Sequence, residues 1–236
     1  MATNTAITTT TEPLAPASML RLLQLGSAAL PVGAFAYSQG LEQAVARGEV
    51  RDRTSAEGWV TGLFEYSVRS SDVPLLGRLH SAWSAGDAGA VRRYNDLLFA
   101  CRGSHELRAE ERQIGAALAR LLEKLGVAAA AAWSSDQRAT FANSFALAAV
   151  SWEIPVRDAA LGYVFAWAEA QVGAATRLIP LGQSDAQLVL SALIERAAPG
   201  IDADLERSDA EIGSAAPGQA LLSALHETQY SRLFRS

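Results

Sequence analysis

Between residues 158 and 179 the sequence carries a helical pattern that is apolar on more than one side, and this limits the folds open to the chain. Leu161, Val164, Phe165, Ala168, Val172 and Ile179 recur at helical spacing on one face. Tyr163, Trp167 and Ala174 make much of another side apolar. A helix of this kind must be enclosed by other elements. Pro180-Leu-Gly182 stops it, because proline has no amide proton and clashes with the preceding turn. Its neighbours read as helices too. The stretch 141–152 is apolar nearly all round, and Pro155 breaks it. Nowhere do alternating strands bounded by turn pairs occur, so the class is all-α, a single-domain helical bundle of roughly ten helices. Hydrophobic residues are 50% of the 236, enough to build a core.

Punctuation divides the rest. Residues 1–17 are rich in threonine, alanine and proline and are expected to be disordered, with one helical domain over 18–236. Ser18 is placed to cap a first helix that ends at Gly26 and Pro31. Pro31-Val-Gly33 turns the chain before Phe35 and Tyr37, and Ser38 can cap a second helix closed by Gly48. Thr54-Ser-Ala-Glu57 and Ser134-Ser-Asp-Gln137 read as capping boxes. Asp72 with Pro74 starts a further helix, and Asp87 caps another. A long charged helix runs over 105–125. Residues 201–218 are acidic and small, a mobile-loop composition, and the final segment HETQYSRLFRS reads as a polar-aromatic helix. Gly58, Gly62, Gly115, Gly162 and Gly173 fall inside helices, where close helix–helix approach is the usual reason for tolerating them.

Charge and motif content exclude several function classes. A formal net charge of -5 argues against nucleic acid, which needs a basic face. A single cysteine, Cys101, precludes an internal disulfide and fits a reducing compartment. No signal peptide or membrane-length apolar run is visible, so a soluble cytoplasmic protein is expected. There is no phosphate loop, dinucleotide glycine fingerprint or Gly-x-Ser-x-Gly elbow. His105, Glu106 and Glu110 could serve a helix-bundle metalloprotein. However, Gly103-Ser104 interrupts any helix joining Cys101 to His105, and Arg108, Glu111 and Arg112 make a solvated charged face the simpler reading of the glutamates.

Three stretches together point to one family. Leu30-Pro31, Gly33, Phe35, Tyr37-Ser38 and Gly40-Leu41-Glu42 follow a leucine-rich segment. Glu106-Leu-Arg-Ala-Glu-Glu-Arg-Gln-Ile-Gly115 precedes a leucine stripe. His226-Glu227-Thr228 leads to Ser231-Arg-Leu-Phe-Arg-Ser236. In that order they resemble the UreF family of urease accessory proteins, as does Pro180-Leu-Gly182-Gln183. Asn143-Ser144 departs from the His-Pro of many relatives.

The resemblance implies an all-α, dimerising, non-enzymatic protein. It would join UreD (UreH in some organisms) and the GTPase UreG, and couple GTP hydrolysis to nickel insertion into apo-urease. It implies no resident cofactor, nickel being delivered by the complex and not clearly bound by this chain. Candidate contact residues are Phe35, Tyr37 and Glu42 in the corner, and Glu106, Arg108, Glu110 and Gln113 on the charged helix. In the terminal segment they are His226, Tyr230, Arg232, Leu233, Phe234, Arg235 and Ser236. Leu233 and Phe234 are expected to fill a partner's groove rather than pack on their own domain.

Overall fold

The computed structural model describes residues 13–213 and 216–236, and over them the chain is helices joined by turns. Residues 1–12 of the segment expected to be disordered lie outside the described residues. Helix α1 (Pro16–Leu25) begins with proline at its first position and no side-chain cap, two residues ahead of the expected Ser18. A short 3₁₀ turn, Ala34–Ala36, leads to α2 (Leu41–Ala46). Ser38 does meet this helix's free amides, its Oγ accepting from the Glu42 N–H at 3.3 Å.

Helix α3 (Arg53–Leu63) is capped by Asp52, which exchanges hydrogen bonds with Ser55. The box therefore lies two residues before the expected Thr54, because the carboxylate is the stronger acceptor. The chain does not break at Asp72. A π-helical stretch, Phe64–Asp72, runs directly into α4 (Val73–Ser84). Pro74 removes the amide that would have bonded the Ser70 carbonyl, and the Gly213 N–H takes that carbonyl instead at 3.0 Å. The wider π turn also directs the Asp72 side chain into the core, where it is 2% exposed and caps nothing.

Helix α5 (Ala88–Ala100) is capped by Asp87 and α6 (His105–Lys124) by Ser104. Helix α7 (Phe141–Ser151) is capped by Thr140 rather than by the residues near Ser134, which form turns. Helix α8 (Val156–Leu178) follows Pro155, and α9 is Gln183–Ala197. The acidic stretch expected to be a mobile loop contains α10 (Ile201–Leu205) and a 3₁₀ turn, Asp209–Glu211, before α11 (Pro217–His226). Ion pairs order it: Arg69 and Arg207 hold Asp204, Arg78 holds Asp209 and Arg157 holds Asp202.

Helix α4 packs on α5, α7 and α8, α6 packs on α7, and α8 lies against α9 and α1. Leu75, Leu76, Leu79, Leu118, Leu122 and Phe145 are fully buried between them. Gly115 permits the α6–α7 contact, since a Cβ there would lie 2.6 Å from the Ala139 carbonyl oxygen. At one end of the bundle α11 closes on α2 and α6.

Candidate functional site

The corner after α1, the first turns of α6 and the chain beyond α11 meet at that end. Gly40 makes the meeting possible. Its φ of +89° is left-handed, and a Cβ would sit 3.2 Å from the Ser223 amide of α11. Gln39 before it is also left-handed, at φ +54°, a conformation an ordinary residue holds only when its surroundings enforce it. They do: Gln39 Nε2 donates to Glu110 Oε1 at 2.8 Å, and its Oε1 accepts from Trp167 Nε1 at 3.1 Å.

Helix α11 stops at His226, so the expected terminal helix is absent. Glu42 is the physical reason. Its two carboxylate oxygens accept the amides of Leu233 at 2.7 Å and Phe234 at 2.8 Å, amides that a helix would use internally. The segment lies against the corner instead. Arg235 N–H donates to the Ala36 carbonyl at 2.8 Å, and the Ser236 carbonyl accepts from Ser38 N–H at 2.8 Å and from Ser38 Oγ. Side chains then alternate. Phe234 and Ser236 turn inward at 4% and 0% exposure, while Leu233 and Arg235 face out.

His226 is fully buried between two carboxylates, with Nε2 3.1 Å from Glu42 and Nδ1 2.9 Å from Glu106. Glu106 also accepts from Arg232 at 3.0 Å. One turn along α6, Glu110 accepts from Ser236 Oγ at 3.2 Å, and burial pushes its carboxyl up to about 7. Gln113 accepts from the Tyr37 hydroxyl at 2.5 Å and from Arg235 at 3.2 Å. Burial raises the Tyr37 hydroxyl above its ordinary range. The Arg177 guanidinium lies 4.4 Å over the Phe234 ring and donates to the Phe35 carbonyl at 2.8 Å.

A second buried cluster centres on Arg102. Arg102 grips Asp72 with two donors, at 2.6 and 3.0 Å, and reaches Glu111 at 2.8 Å. Tyr163 donates to Asp72 at 2.7 Å, and Glu111 accepts from the Phe141 amide at 2.9 Å. Burial works against the charge on Arg102, but Asp72 and Glu111 outweigh it and hold the guanidinium well above its usual range. Burial and the Asp72 charge raise the Tyr163 hydroxyl well above its own. Between the two clusters is a cavity of about 330 Å³, lined in part by Tyr37, Gln39, Asp72, Glu110, Tyr163 and Gln171.

Comparison with known proteins places this arrangement. Residues 50–194 match the family model described as UreF. A urease accessory protein UreF of Alkalilimnicola ehrlichii is 46% identical over 216 residues, covering 92% of this chain and 95% of its own. One from Pseudomonas putida (strain W619) is 46% identical over 219 residues, 93% and 98% of the two chains. One from Escherichia coli O157:H7 is 44% identical over 221 residues, 94% and 99%. The chain belongs to the UreF family of urease accessory proteins.

The three stretches that carried the UreF resemblance are thus neighbours in space. The glutamates of α6 are not a solvated face: Glu106 and Glu110 are 7% and 4% exposed, turned toward the terminal segment and the corner. The segment beyond α11 packs on its own domain with Phe234 inward, because Glu42 and Arg177 supply the partners it needs. Tyr230 is fully exposed, Phe35 is 70% exposed and Leu233 55%. Arg108 stands apart, donating to the Arg102 carbonyl at 2.6 Å. His105 is exposed at the start of α6, and Glu106 and Glu110 turn to different partners, so the three do not form a joint ligand set. Among the described residues no group of three or more His, Cys, Asp or Glu side chains is arranged to hold a metal ion, and no helix is long and apolar enough to cross a membrane. Sequence reasoning missed Gln39, Asp72, Arg102, Tyr163 and Arg177. Asp72 and Arg102 offered one signal, both being charged residues beside segments of apolar periodicity.

Proposed function

We propose that this UreF-family chain is a non-catalytic scaffold that joins UreD (UreH) and the GTPase UreG, and so couples GTP hydrolysis to nickel delivery into apo-urease. The observation that carries this reading is the fixed terminal segment. The corner, α2, α6 and α8 hold it, with Tyr230 turned outward and with Leu233 and Arg235 outward beside exposed Phe35. A preorganised apolar and basic edge of this kind is what a partner protein recognises at low ordering cost. The buried Glu42, Glu106, Glu110 and His226 set the shape of that edge, and Tyr37 and Gln113 hold it to the corner. Helix α1 also exposes Met19, Leu20 and Leu23, an apolar row suited to the homodimer that the reading includes.

The test uses purified UreD and UreG with this chain. Tyr230→Ser with Leu233→Ser alters only outward side chains, so the melting curve should be unchanged while complex formation and urease activation fall. Assembly and activation at wild-type levels by that double variant would overturn the proposal. Sedimentation of the chain alone reads the dimer.

A further inference from the structure

We propose that the groove between the corner, α6 and the terminal segment docks an acidic stretch of a partner protein, one carrying carboxylates beside apolar side chains. The inference rests on the scaffold reading and names the chemistry of one contact. The groove has a volume of about 630 Å³, and Phe35, Arg112, Arg120, Arg177, Leu233 and Arg235 line it.

The arginines carry the argument. This chain has a net charge of -5, and most of its arginines are in ion pairs with carboxylates, Arg69, Arg78, Arg102, Arg157 and Arg196 among them. The four in the groove have no such partner among the described residues. Arg112 reaches the Gln137 side-chain oxygen at 3.4 Å, and Arg120 the Ser134 carbonyl at 2.9 Å. Arg177 reaches the Phe35 carbonyl and Arg235 the Gln113 side chain, as described above. All four acceptors are neutral. A guanidinium has five N–H donors, so each keeps donors for a ligand. Asp136 also lines the groove, but Arg92 holds it at 2.6 Å.

Four positive forks gathered from three elements in a net acidic protein are complementary to carboxylates, which guanidinium binds in bidentate geometry. The exposed rings and methyls of Phe35 and Leu233 lie among them. A small inorganic anion would use the charge and leave those side chains in water. A peptide with alternating acidic and apolar residues uses both.

The probe is a fluorescein-labelled octapeptide of alternating glutamate and leucine, with its glutamine–leucine counterpart, titrated against the full chain by anisotropy. The glutamate peptide should bind and the glutamine peptide should not. Arg112→Gln with Arg120→Gln should weaken binding by about tenfold, two partly exposed ion pairs being worth roughly that. Arg21→Gln with Arg93→Gln, which removes equal charge elsewhere, should leave it unchanged. Equal binding of both peptides, indifference to the Arg112/Arg120 change, or displacement by inorganic phosphate or a single-stranded oligonucleotide where chloride of equal ionic strength has no effect would each overturn the proposal. Assembly with UreD and UreG is scored separately. If the wild-type chain assembles while the Arg112/Arg120 variant assembles and binds peptide equally well, the groove inference falls and the scaffold stands. If the wild-type chain assembles with neither protein, the scaffold reading falls whatever the peptide does.

Discussion

Glu42 accepts two consecutive backbone amides with one carboxylate, which also lies 3.1 Å from His226 Nε2, and no other described residue replaces it at those two amides. Glu42→Ala should therefore release the terminal segment rather than unfold the bundle. Hydrogen exchange at the Leu233 and Phe234 amides should approach that of an open chain, while amides of α4 stay protected. Global stability should fall by about 1–3 kcal/mol, the usual cost of deleting a charged acceptor whose donors can still reach water. Protected amides at 233 and 234 in that variant would show that Glu42 does not hold the segment. Glu110 yields a different signature. Its carboxyl moves from 4.5 to about 7 on burial, so the fold prefers its protonated form. The stability from that preference is complete below about 4.5 and is lost as the pH rises through about 7. Glu110→Gln imitates the protonated form. Relative to wild type it should gain about 2–3 kcal/mol between pH 4.5 and pH 8, read from urea unfolding across that window. A pH-independent difference would place Glu110 in water.

Helix glycines separate two causes that look alike in sequence. Gly115 abuts backbone, the Ala139 carbonyl oxygen and the Thr140 carbonyl carbon both lying 2.6 Å from where a Cβ would stand, whereas around Gly58 nothing lies within 4 Å. Gly115→Ala should destabilise by about 1–3 kcal/mol, because backbone cannot step aside. Gly58→Ala should stabilise by about 0.5–1 kcal/mol through helix propensity alone. Chemical denaturation of the two variants reads the opposite signs. The comparison also shows what the sequence made legible. Apolar periodicity located most of the helices, since each records its own buried face locally, and Asp87 was legible as a cap, whereas Ser104 was legible only as a break and the structure shows it capping α6. The continuous run from α3 through the π segment to α4 was not, because the partner that frees Pro74 from ending a helix is Gly213, far along the chain. The terminal segment was misread as a helix for the same reason: Glu42, which draws its amides away, is 191 residues distant. The three family stretches were legible as a resemblance, but their packing on one another was not.

At the scale of the molecule, the Arg102 cluster joins elements that sequence separates. Asp72 comes from the π segment, Glu111 from α6 and Tyr163 from α8, while Arg102 sits in the turn between α5 and α6, and the Phe141 amide at the start of α7 donates to Glu111. Removing the cation alone leaves Asp72 and Glu111 facing each other at 2% and 5% exposure. Arg102→Met should therefore cost about 3–5 kcal/mol, the range for breaking one side of a buried ion pair. Tyr163→Phe removes a single donor and should cost about 1 kcal/mol. The same physics fixes the sign of a further change. With Asp72→Asn and Glu111→Gln added to Arg102→Met, no buried charge is left uncompensated, and Asn and Gln still offer oxygens to Tyr163 and to the Phe141 amide. The triple variant should then be more stable than Arg102→Met alone, a non-additivity expected only where the residues share one network. Urea midpoints of the single and triple variants decide it. If the triple variant is the less stable, the hydrogen bonds that Tyr163 and the Phe141 amide give to charged oxygens outweigh both the penalty for burying those charges and their mutual repulsion.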